Sequence, residues 1–200
     1  MSAKTLVGIV LGAGESARMG RPKQLLPLGG TTLLNFVVAR AERSRLDRVV
    51  VVTGANASEV EAHLELSRAS VARNPAYRRG NMSSLATGAA DVSEAGAVLL
   101  LMGDMPGVDV EVIDRFADLW RDEQPWAAVA SYRDGVAHPF MLSAPALEAA
   151  LPLDQPKALW TFLVAEPAGE VRHLEIDRPR PRDVDTPADY EALLAEGWRA

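Results

Sequence analysis

Apolar runs alternate along the chain with segments in which apolar residues recur every three or four positions. The continuous runs predict buried strands at residues 5–11, 48–53, 70–73, 97–102, 126–132 and 171–176. The helical spacing predicts helices at residues 32–45, 58–66, 81–91, 109–122, 145–151, 157–165 and 185–195. This alternation is typical of a three-layer α/β fold, in which helices cover both faces of a largely parallel sheet.

The rhythm changes at residues 138–143, where His-Pro-Phe-Met-Leu-Ser indicates a short additional strand. No repeat, low-complexity tract or long linker divides the 200 residues. A chain of this length fits one domain, so we expect a single domain over residues 1–200.

Composition narrows the classes of function. The absence of cysteine excludes disulfides, a thiol nucleophile and thiolate metal sites. The net charge of −6 argues against a nucleic-acid binder, which usually presents a basic face. No apolar run is long enough for a membrane span, and the early first strand leaves no room for a signal peptide. We therefore expect a cytoplasmic protein with no membrane partner.

Basic residues nevertheless cluster in the loop after the first strand, where Arg18, Arg21 and Lys23 lie among glycines and prolines. In parallel sheets, ligands bind outside the carboxyl ends of the strands. The cluster therefore predicts an anionic ligand at this edge of the sheet.

The same loop contains the G-x-G-x-x-A pattern of dinucleotide-binding sites, at residues 12–17. That kind of site also needs a helix that starts within the glycines and an acidic residue at the end of the second strand. Here Gly20 and Pro22 interrupt the helix, and residues 53–56 read Thr-Gly-Ala-Asn. We therefore interpret the segment as a long loop whose backbone N–H groups surround phosphates, with basic side chains adding positive charge.

Five motifs resemble those of a known superfamily. Residues 11–23, with Leu-Gly-Ala-Gly followed by Arg-Met-Gly and a lysine, resemble the signature loop of the MobA-like nucleotidyltransferases. Four further segments resemble the other motifs of that superfamily, so that the resemblance covers nearly the whole chain; they are residues 74–88, 99–106, 135–140 and 183–190. Ala13 and the ending Arg21-Pro22-Lys23 are similar to the molybdenum-cofactor cytidylyltransferase branch.

The resemblance implies a Mg²⁺-dependent enzyme on a Rossmann-like nucleotidyltransferase fold, and it assigns roles to matching positions. The implied nucleotide-binding residues are Leu11, Gly12, Ala13, Gly14, Arg18, Lys23, Asn81, Ser83 and Ser84. The implied catalytic residues are Lys23, Arg18 and Asp104, the implied metal ligands are Asp104 and Asp185, and the implied acceptor contact is His138. The nucleotide-binding half would end near residue 106, and residues 107–200 would form the acceptor side.

Simpler interpretations of several of these residues stay open. Asp104 also suits a turn in Gly-Asp-x-Pro. Residues 186–189 form a helix start with a capping box, which leaves Asp185 without an assigned structural role. His138 equally fits a packed strand position, and we interpret Asp183 as a solvated loop charge.

Three departures limit the resemblance, and the most serious of them lies on the acceptor side. Gly12 stands where the superfamily usually has alanine, and Met105 stands where the cytidylyltransferase branch usually has glutamine. Residues 153–163, which include Gln155 to Leu163, replace the usual G-x-R-x-L-L segment.

The resulting hypothesis is transfer of CMP from CTP to a phosphorylated acceptor, molybdopterin, with release of pyrophosphate. An apo molybdenum hydroxylase would be a further partner. Three alternatives stay open: a GTP-using transferase for another small phosphorylated acceptor, an NAD(P)H-dependent pigment oxidoreductase, and a non-catalytic molybdenum-cofactor chaperone.

Overall fold

The fold is built around one large sheet. The structure, a computed structural model, describes residues 5–90, 96–153 and 157–198. The strands in these ranges are β1 (Leu6–Leu11), β2 (Pro27–Leu28), β3 (Thr31–Thr32), β4 (Arg48–Thr53), β5 (Ser70–Arg73), β6 (Ala97–Met102), β7 (Ala127–Tyr132), β8 (Gly135–Ser143) and β9 (Val171–Ile176). Strands β2 and β3 pair with each other, and the remaining seven form the main sheet in the order β5-β4-β1-β6-β8-β7-β9.

The helices lie between these strands and after the last one. They are α1 (Leu33–Arg43), α2 (Ala57–Ala62), α3 (Asn81–Ala90), α4 (Val110–Glu123), α5 (Ala144–Ala150), α6 (Ala158–Trp160) and α7 (Pro187–Ala195). Side chains cap the helices that border the site: the Thr32 hydroxyl accepts from the N–H of Asn35, and Thr186 forms a capping box with Asp189.

The direction of the strands decides where ligands meet the sheet. Strands β1, β4, β5 and β6 are parallel neighbours, whereas β8 runs antiparallel to both β6 and β7, and β9 is again parallel to β7. The carboxyl ends of β1, β4, β5 and β6 therefore lie at one edge, where a loop follows each strand.

Apolar side chains cover both faces of the sheet. On one face, α1 and α4 pack against the strands around Phe116 and Leu34, and on the other face α3 and α5 pack around Leu85 and Ala146. A smaller cluster that includes Met19 and Leu193 joins the loop after β1 to α7. The loop after β1 is thus anchored to the C-terminal part of the chain.

The structure confirms the predicted α/β fold and places all six predicted strands within one residue of their expected ends. The additional strand expected at residues 138–143 is longer than predicted, because it forms a hairpin with β7 that begins at Gly135. The helix expected at residues 157–165 is confirmed as helical from Ala158, but it changes type, since α6 continues as a π-helical turn at Thr161–Ala165. The helix expected at residues 58–66 ends at Ala62, and the last residue of the one expected at 81–91 lies outside the described residues.

Among the described residues, no helix has both the length and the apolar character that crossing a bilayer requires.

Candidate functional site

The loop after β1 is held by a buried glutamine and contains no helix. The next element is a 3₁₀ turn at Lys23–Leu25, and Gln24 within it is 3% exposed. Its Nε2 donates to the carbonyl oxygens of Gly12 and Gly14 at 2.9 and 2.8 Å, and its Oε1 accepts from the Ser16 hydroxyl at 3.2 Å. Gln24 therefore fixes the carbonyl groups of the loop on its inner side.

The opposite side of the loop offers free hydrogen-bond donors. Within the described ranges, the backbone N–H groups of residues 13 to 18 donate to no other part of the chain. A Cβ added at Gly14 would have no atom within 4 Å, so the space in front of the loop is open. Successive free N–H groups of this kind form a concave surface that binds anions.

Lys23 connects this loop to two aspartates. Its Nζ donates to Asp104 Oδ2 at 2.5 Å and to Asp185 Oδ1 at 2.7 Å, and the Lys23 and Asp104 side chains are 13% and 16% exposed. Burial opposes the positive charge, but the two carboxylates outweigh it and raise the pKa of Lys23 above its usual value. Lys23 is therefore a charged, mostly buried bridge.

Arg18 adds a second cation to the same cluster. Its Nη2 donates to Asp185 Oδ2 at 2.7 Å, but its side chain is 69% exposed. Burial of Asp185 is outweighed by its bonds from Lys23 and Arg18, which hold the pKa of its carboxyl group below the ordinary range. Because water screens the exposed guanidinium, this ion pair is weaker than the one that Lys23 makes.

Backbone contacts bring the two aspartates together from distant parts of the sequence. The N–H of Val184 donates to the carbonyl oxygen of Asp104 at 3.0 Å, and the N–H of Gly103 donates to that of Leu11 at 2.9 Å. A Cβ at Gly103 would lie 2.7 Å from the Leu11 oxygen, so glycine permits this close approach. The N–H of Asp185 in turn donates to Asp189 in the capping box of α7.

The two carboxylates suit a divalent cation. The ammonium nitrogen of Lys23 contacts both carboxylates, so a metal ion at the same point would also contact both. Asp104 Oδ1 is buried and has no hydrogen-bond partner among the described residues. Mg²⁺ commonly takes one or two carboxylates and fills its other positions with water and phosphate oxygens. No described group of three acidic, histidine or cysteine side chains could hold a metal, so such outer ligands would be needed.

Two adjoining cavities open at this edge of the sheet. The first, of about 400 Å³, is lined by nearly all the predicted nucleotide-side residues: Leu11, Gly12, Ala13, Gly14, Arg18, Lys23, Asn81, Ser84, Asp104 and Asp185. The second, of about 860 Å³, has a mainly apolar floor and four cationic side chains, Arg78, Arg79, Lys157 and Arg180. Both are lined by His138 and Asp183, which therefore lie where the cavities meet.

Ser83 differs from the other predicted residues because it does not line the first cavity. The buried Asn74 donates through Nδ2 to the hydroxyls of Ser83 and Ser84, at 2.9 and 3.0 Å. The Ser83 hydroxyl lies 2.8 Å from the carbonyl oxygen of Gly80, to which it can donate. Here Ser83 stabilises the start of α3, whereas Ser84 faces the cavity.

His138 is held at the junction of the cavities. Its ring stacks on Phe140 with centroids 4.1 Å apart, and its Nδ1 is buried without a partner among the described residues. Burial lowers the pKa of His138 to about 4, with the Leu100 backbone opposing the shift, so the ring is neutral near pH 7. A neutral imidazole in this position can hydrogen-bond a ligand without adding charge.

Sequence reasoning missed three residues of this region. Gln24 had only one signal, its place directly after Lys23 in a loop. Arg180 and Lys157 lie far along the chain and reach the second cavity through folding. Asp183, interpreted from the sequence as a solvated loop charge, also lines both cavities; partial burial and the charges of Asp104 and Asp185 raise its pKa to about 6.

A glycine-rich loop with free N–H groups and a pair of aspartates lie at one edge of an α/β sheet, beside a second cavity, and this arrangement is typical of the nucleotidyltransferases. The chain belongs to the MobA-like NTP transferase family, whose domain matches residues 8–171.

Three relatives indicate the range of proteins that this chain is similar to. It is 28% identical to the molybdenum cofactor cytidylyltransferase of Escherichia coli K12, over 91% of this chain and 92% of that protein. It is 30% identical to the nicotine blue oxidoreductase of Paenarthrobacter nicotinovorans, over 70% and 71% of the two chains. Two structures of Rv0371c from Mycobacterium tuberculosis H37Rv, the second a complex with manganese, are 33% and 32% identical, with TM-scores of 0.87 and 0.81. Each of these alignments covers 96% of this chain and 98% of that one.

Proposed function

We propose that the protein transfers CMP from CTP to a phosphorylated acceptor of the molybdopterin type. An oxygen of the acceptor phosphate attacks the α-phosphorus, the bond from that phosphorus to the bridging oxygen breaks, and pyrophosphate leaves. The observation that carries this proposal is the bridge from Lys23 to Asp104 and Asp185, directly beside the free N–H groups of the loop. That arrangement offers one surface for phosphates and another for a cation.

The chain's own residues would hold the triphosphate in line for attack. The N–H groups of residues 13 to 18 would surround the β- and γ-phosphates, and Arg18 and Lys23 would neutralise them. Asp104 and Asp185 would hold a divalent cation, which we expect to be Mg²⁺ and which would supply charge neutralisation at the reacting phosphates. The manganese complex of the Rv0371c relative supports the use of a divalent metal.

The choice of nucleotide depends on the side of the first cavity nearest α3. Asn81 and Ser84 line it together with Leu11 and Ala13, and they offer hydrogen bonds to a base or ribose. The cytidylyltransferase relative from E. coli supports CTP. A GTP-using transferase with another small acceptor is the close variant of this proposal.

The acceptor would occupy the second cavity. Its apolar floor suits a flat ring system, and its cationic side chains, among them Arg79 and Lys157, suit a phosphate. His138 would contact the acceptor at the junction, through the Nδ1 that has no described partner. Residues up to about 106 would form the nucleotide half of a single domain and later residues the acceptor half. The cofactor to which CMP has been attached would then pass to an apo molybdenum hydroxylase.

The nicotine blue oxidoreductase relative gives the second candidate, NAD(P)H-dependent reduction of a pigment. The site favours nucleotidyl transfer, because α1 starts only at Leu33, beyond the glycines, and the described end of β4 carries no acidic residue for a ribose. A non-catalytic chaperone would need binding of the cofactor but no turnover.

A ligand screen and a turnover assay together test the proposal. CTP, GTP, ATP and NADPH would each be added with and without Mg²⁺ while the unfolding midpoint is measured, because a ligand that binds the native state raises it. We expect a Mg²⁺-dependent shift with CTP, and pyrophosphate release when molybdopterin is added. A shift with NADPH that ignores Mg²⁺ would replace the proposal by the oxidoreductase, and cofactor binding without pyrophosphate release would replace it by the chaperone.

A further inference from the structure

One nitrogen atom occupies the place between the two aspartates. Lys23 Nζ lies 2.5 Å from Asp104 and 2.7 Å from Asp185, and both contacts are to carboxylate oxygens. Among the described side chains, only Arg18 makes a further ion pair with either carboxylate, and it does so from the exposed side of Asp185. A divalent cation bound by the same two oxygens, Asp104 Oδ2 and Asp185 Oδ1, would need the position of the lysine nitrogen.

The ion pairs of this cluster balance in charge without any ligand, and Asp183 is a third carboxyl group close to them. Two carboxylates face two cations, and the buried members, Lys23 and Asp104, are compensated within the cluster. A divalent cation added alone would bring two more positive charges within a few ångströms of the Lys23 ammonium group, where like charges repel strongly. A triphosphate added with it would offer Lys23 and Arg18 new anionic partners.

Lys23 can change partners without moving the loop. Its backbone N–H donates to the Ser16 hydroxyl at 3.0 Å, which keeps the main chain fixed, while its side chain lines the cavity in front of the free N–H groups. The flexible lysine stem can therefore turn from the carboxylates toward phosphates in that cavity.

We propose that Lys23 is a built-in substitute for the metal ion, which occupies the divalent cation's place until the triphosphate draws it away. Metal and nucleotide then enter in one coupled step, and Lys23 prevents the metal from binding alone. This inference deepens the proposed function and rests on it only in assuming a nucleoside triphosphate, of whatever base.

Titration with Mn²⁺ alone tests directly whether Lys23 occupies the place of the metal ion. The free ion is followed by its electron paramagnetic resonance signal in the absence of any nucleotide, for the wild type and for Lys23→Met. We expect at least about a tenfold gain in Mn²⁺ affinity for the variant, because a neighbouring charge within a few ångströms changes ion binding by that order. Lys23→Arg keeps the positive charge and should bind Mn²⁺ as weakly as the wild type.

Two further variants complete the experiment. Arg48→Met removes an exposed cation at the start of β4, the opposite end of that strand from the site, and it should leave Mn²⁺ binding unchanged. Lys23→Gln, which retains a polar group of similar reach, replaces the methionine variant if circular dichroism shows that the latter is unfolded. Equal Mn²⁺ affinity in the wild type and the neutral variants, or tight binding by Lys23→Arg, would overturn the proposal.

The coupling itself is measured on the wild type by thermal unfolding. Mn²⁺ alone and the nucleotide alone should each shift the midpoint slightly, and the two together should shift it by clearly more than the sum; an additive result would contradict the inference. The Mn²⁺ titration contains no nucleotide, so it distinguishes failure here from failure of the CTP assignment. If GTP gives the coupled shift instead, the role of Lys23 holds and only the proposed base changes.

Discussion

Replacing Gln24 by methionine would remove the contacts that hold the loop after β1. Methionine keeps most of the side-chain volume but removes the two donations to Gly12 and Gly14 and the acceptance from Ser16. The loop would then lose the contacts that orient its carbonyl groups inward. Its free N–H groups would no longer be fixed for a ligand.

The expected loss of stability follows from these three hydrogen bonds. Each contributes about 0.5–1.5 kcal/mol to stability, so the free energy of unfolding should fall by about 2–4 kcal/mol. Gln24 is 3% exposed, so water cannot readily replace the lost contacts. Nucleotide affinity should fall about tenfold or more, because part of the binding free energy must now order the loop.

Urea unfolding and a nucleotide titration provide the two readouts. Gln124→Asn is the control, since this glutamine ends α4 in a left-handed conformation that asparagine tolerates. Its unfolding free energy and nucleotide affinity should match the wild type. If Gln24→Met unfolded at the wild-type urea concentration and bound nucleotide equally well, the loop would be held by something other than Gln24, and the reasoning would fail.

Three further predictions concern the cation site, the glycines and the histidine. Asp104→Asn should reduce turnover about a hundredfold or more and abolish the Mg²⁺-dependent thermal shift, whereas Asp177→Asn, whose side chain is 91% exposed, should change neither. Gly103→Ala should lower the free energy of unfolding by about 1–3 kcal/mol because its Cβ would collide with Leu11. Gly14→Ala should keep wild-type stability and lose nucleotide affinity, because its Cβ would enter the open space in front of the loop. Equal effects of the two variants would contradict the proposal that the nucleotide binds in that space. Between pH 6.5 and 4 the unfolded chain protonates His138 while the native state resists, so wild-type stability should drop by up to about 3 kcal/mol as the pH falls. His138→Gln should remove that part of the pH dependence, and an unchanged profile would show that the ring is not held neutral.

Much of the sheet could be predicted because its central strands are buried on both faces. Runs such as Arg48–Thr53 and Ala97–Met102 are almost uninterrupted by polar residues, and β-branched or apolar side chains fill both sides. The start of strand β8 could not be predicted in the same way. Its first residues, from Gly135, form a hairpin with β7, and the pairing of the two strands shifts in register between Val129 and Ala130 of β7. Both features depend on the pairing of the strands rather than on local pattern.

The candidate site was predictable in its types of residue but not in its contacts. Motifs singled out Lys23, Asp104 and Asp185, yet Lys23 and Asp185 are 162 positions apart. Their contact depends on tertiary contacts, such as the backbone bond from Val184 to Asp104 and the packing in the cluster of Met19 and Leu193, which no local pattern reveals. Gln24 was missed for a related reason: a polar residue that satisfies loop carbonyls from inside shows no periodicity and carries no charge.

The same contacts explain how two aspartates lie close together at this edge of the sheet. Two aspartates held at one sheet edge by the backbone would repel each other, and one of them is mostly buried. Removing a partner from such a buried charge costs several kcal/mol, so the two carboxylates need a cation from the chain itself. Lys23 provides it, and the raised pKa of Lys23 keeps the ammonium charged throughout the neutral pH range. The residue that would grip the nucleotide therefore also stabilises the free protein, and a neutral substitution at position 23 should weaken the fold most when no metal is present.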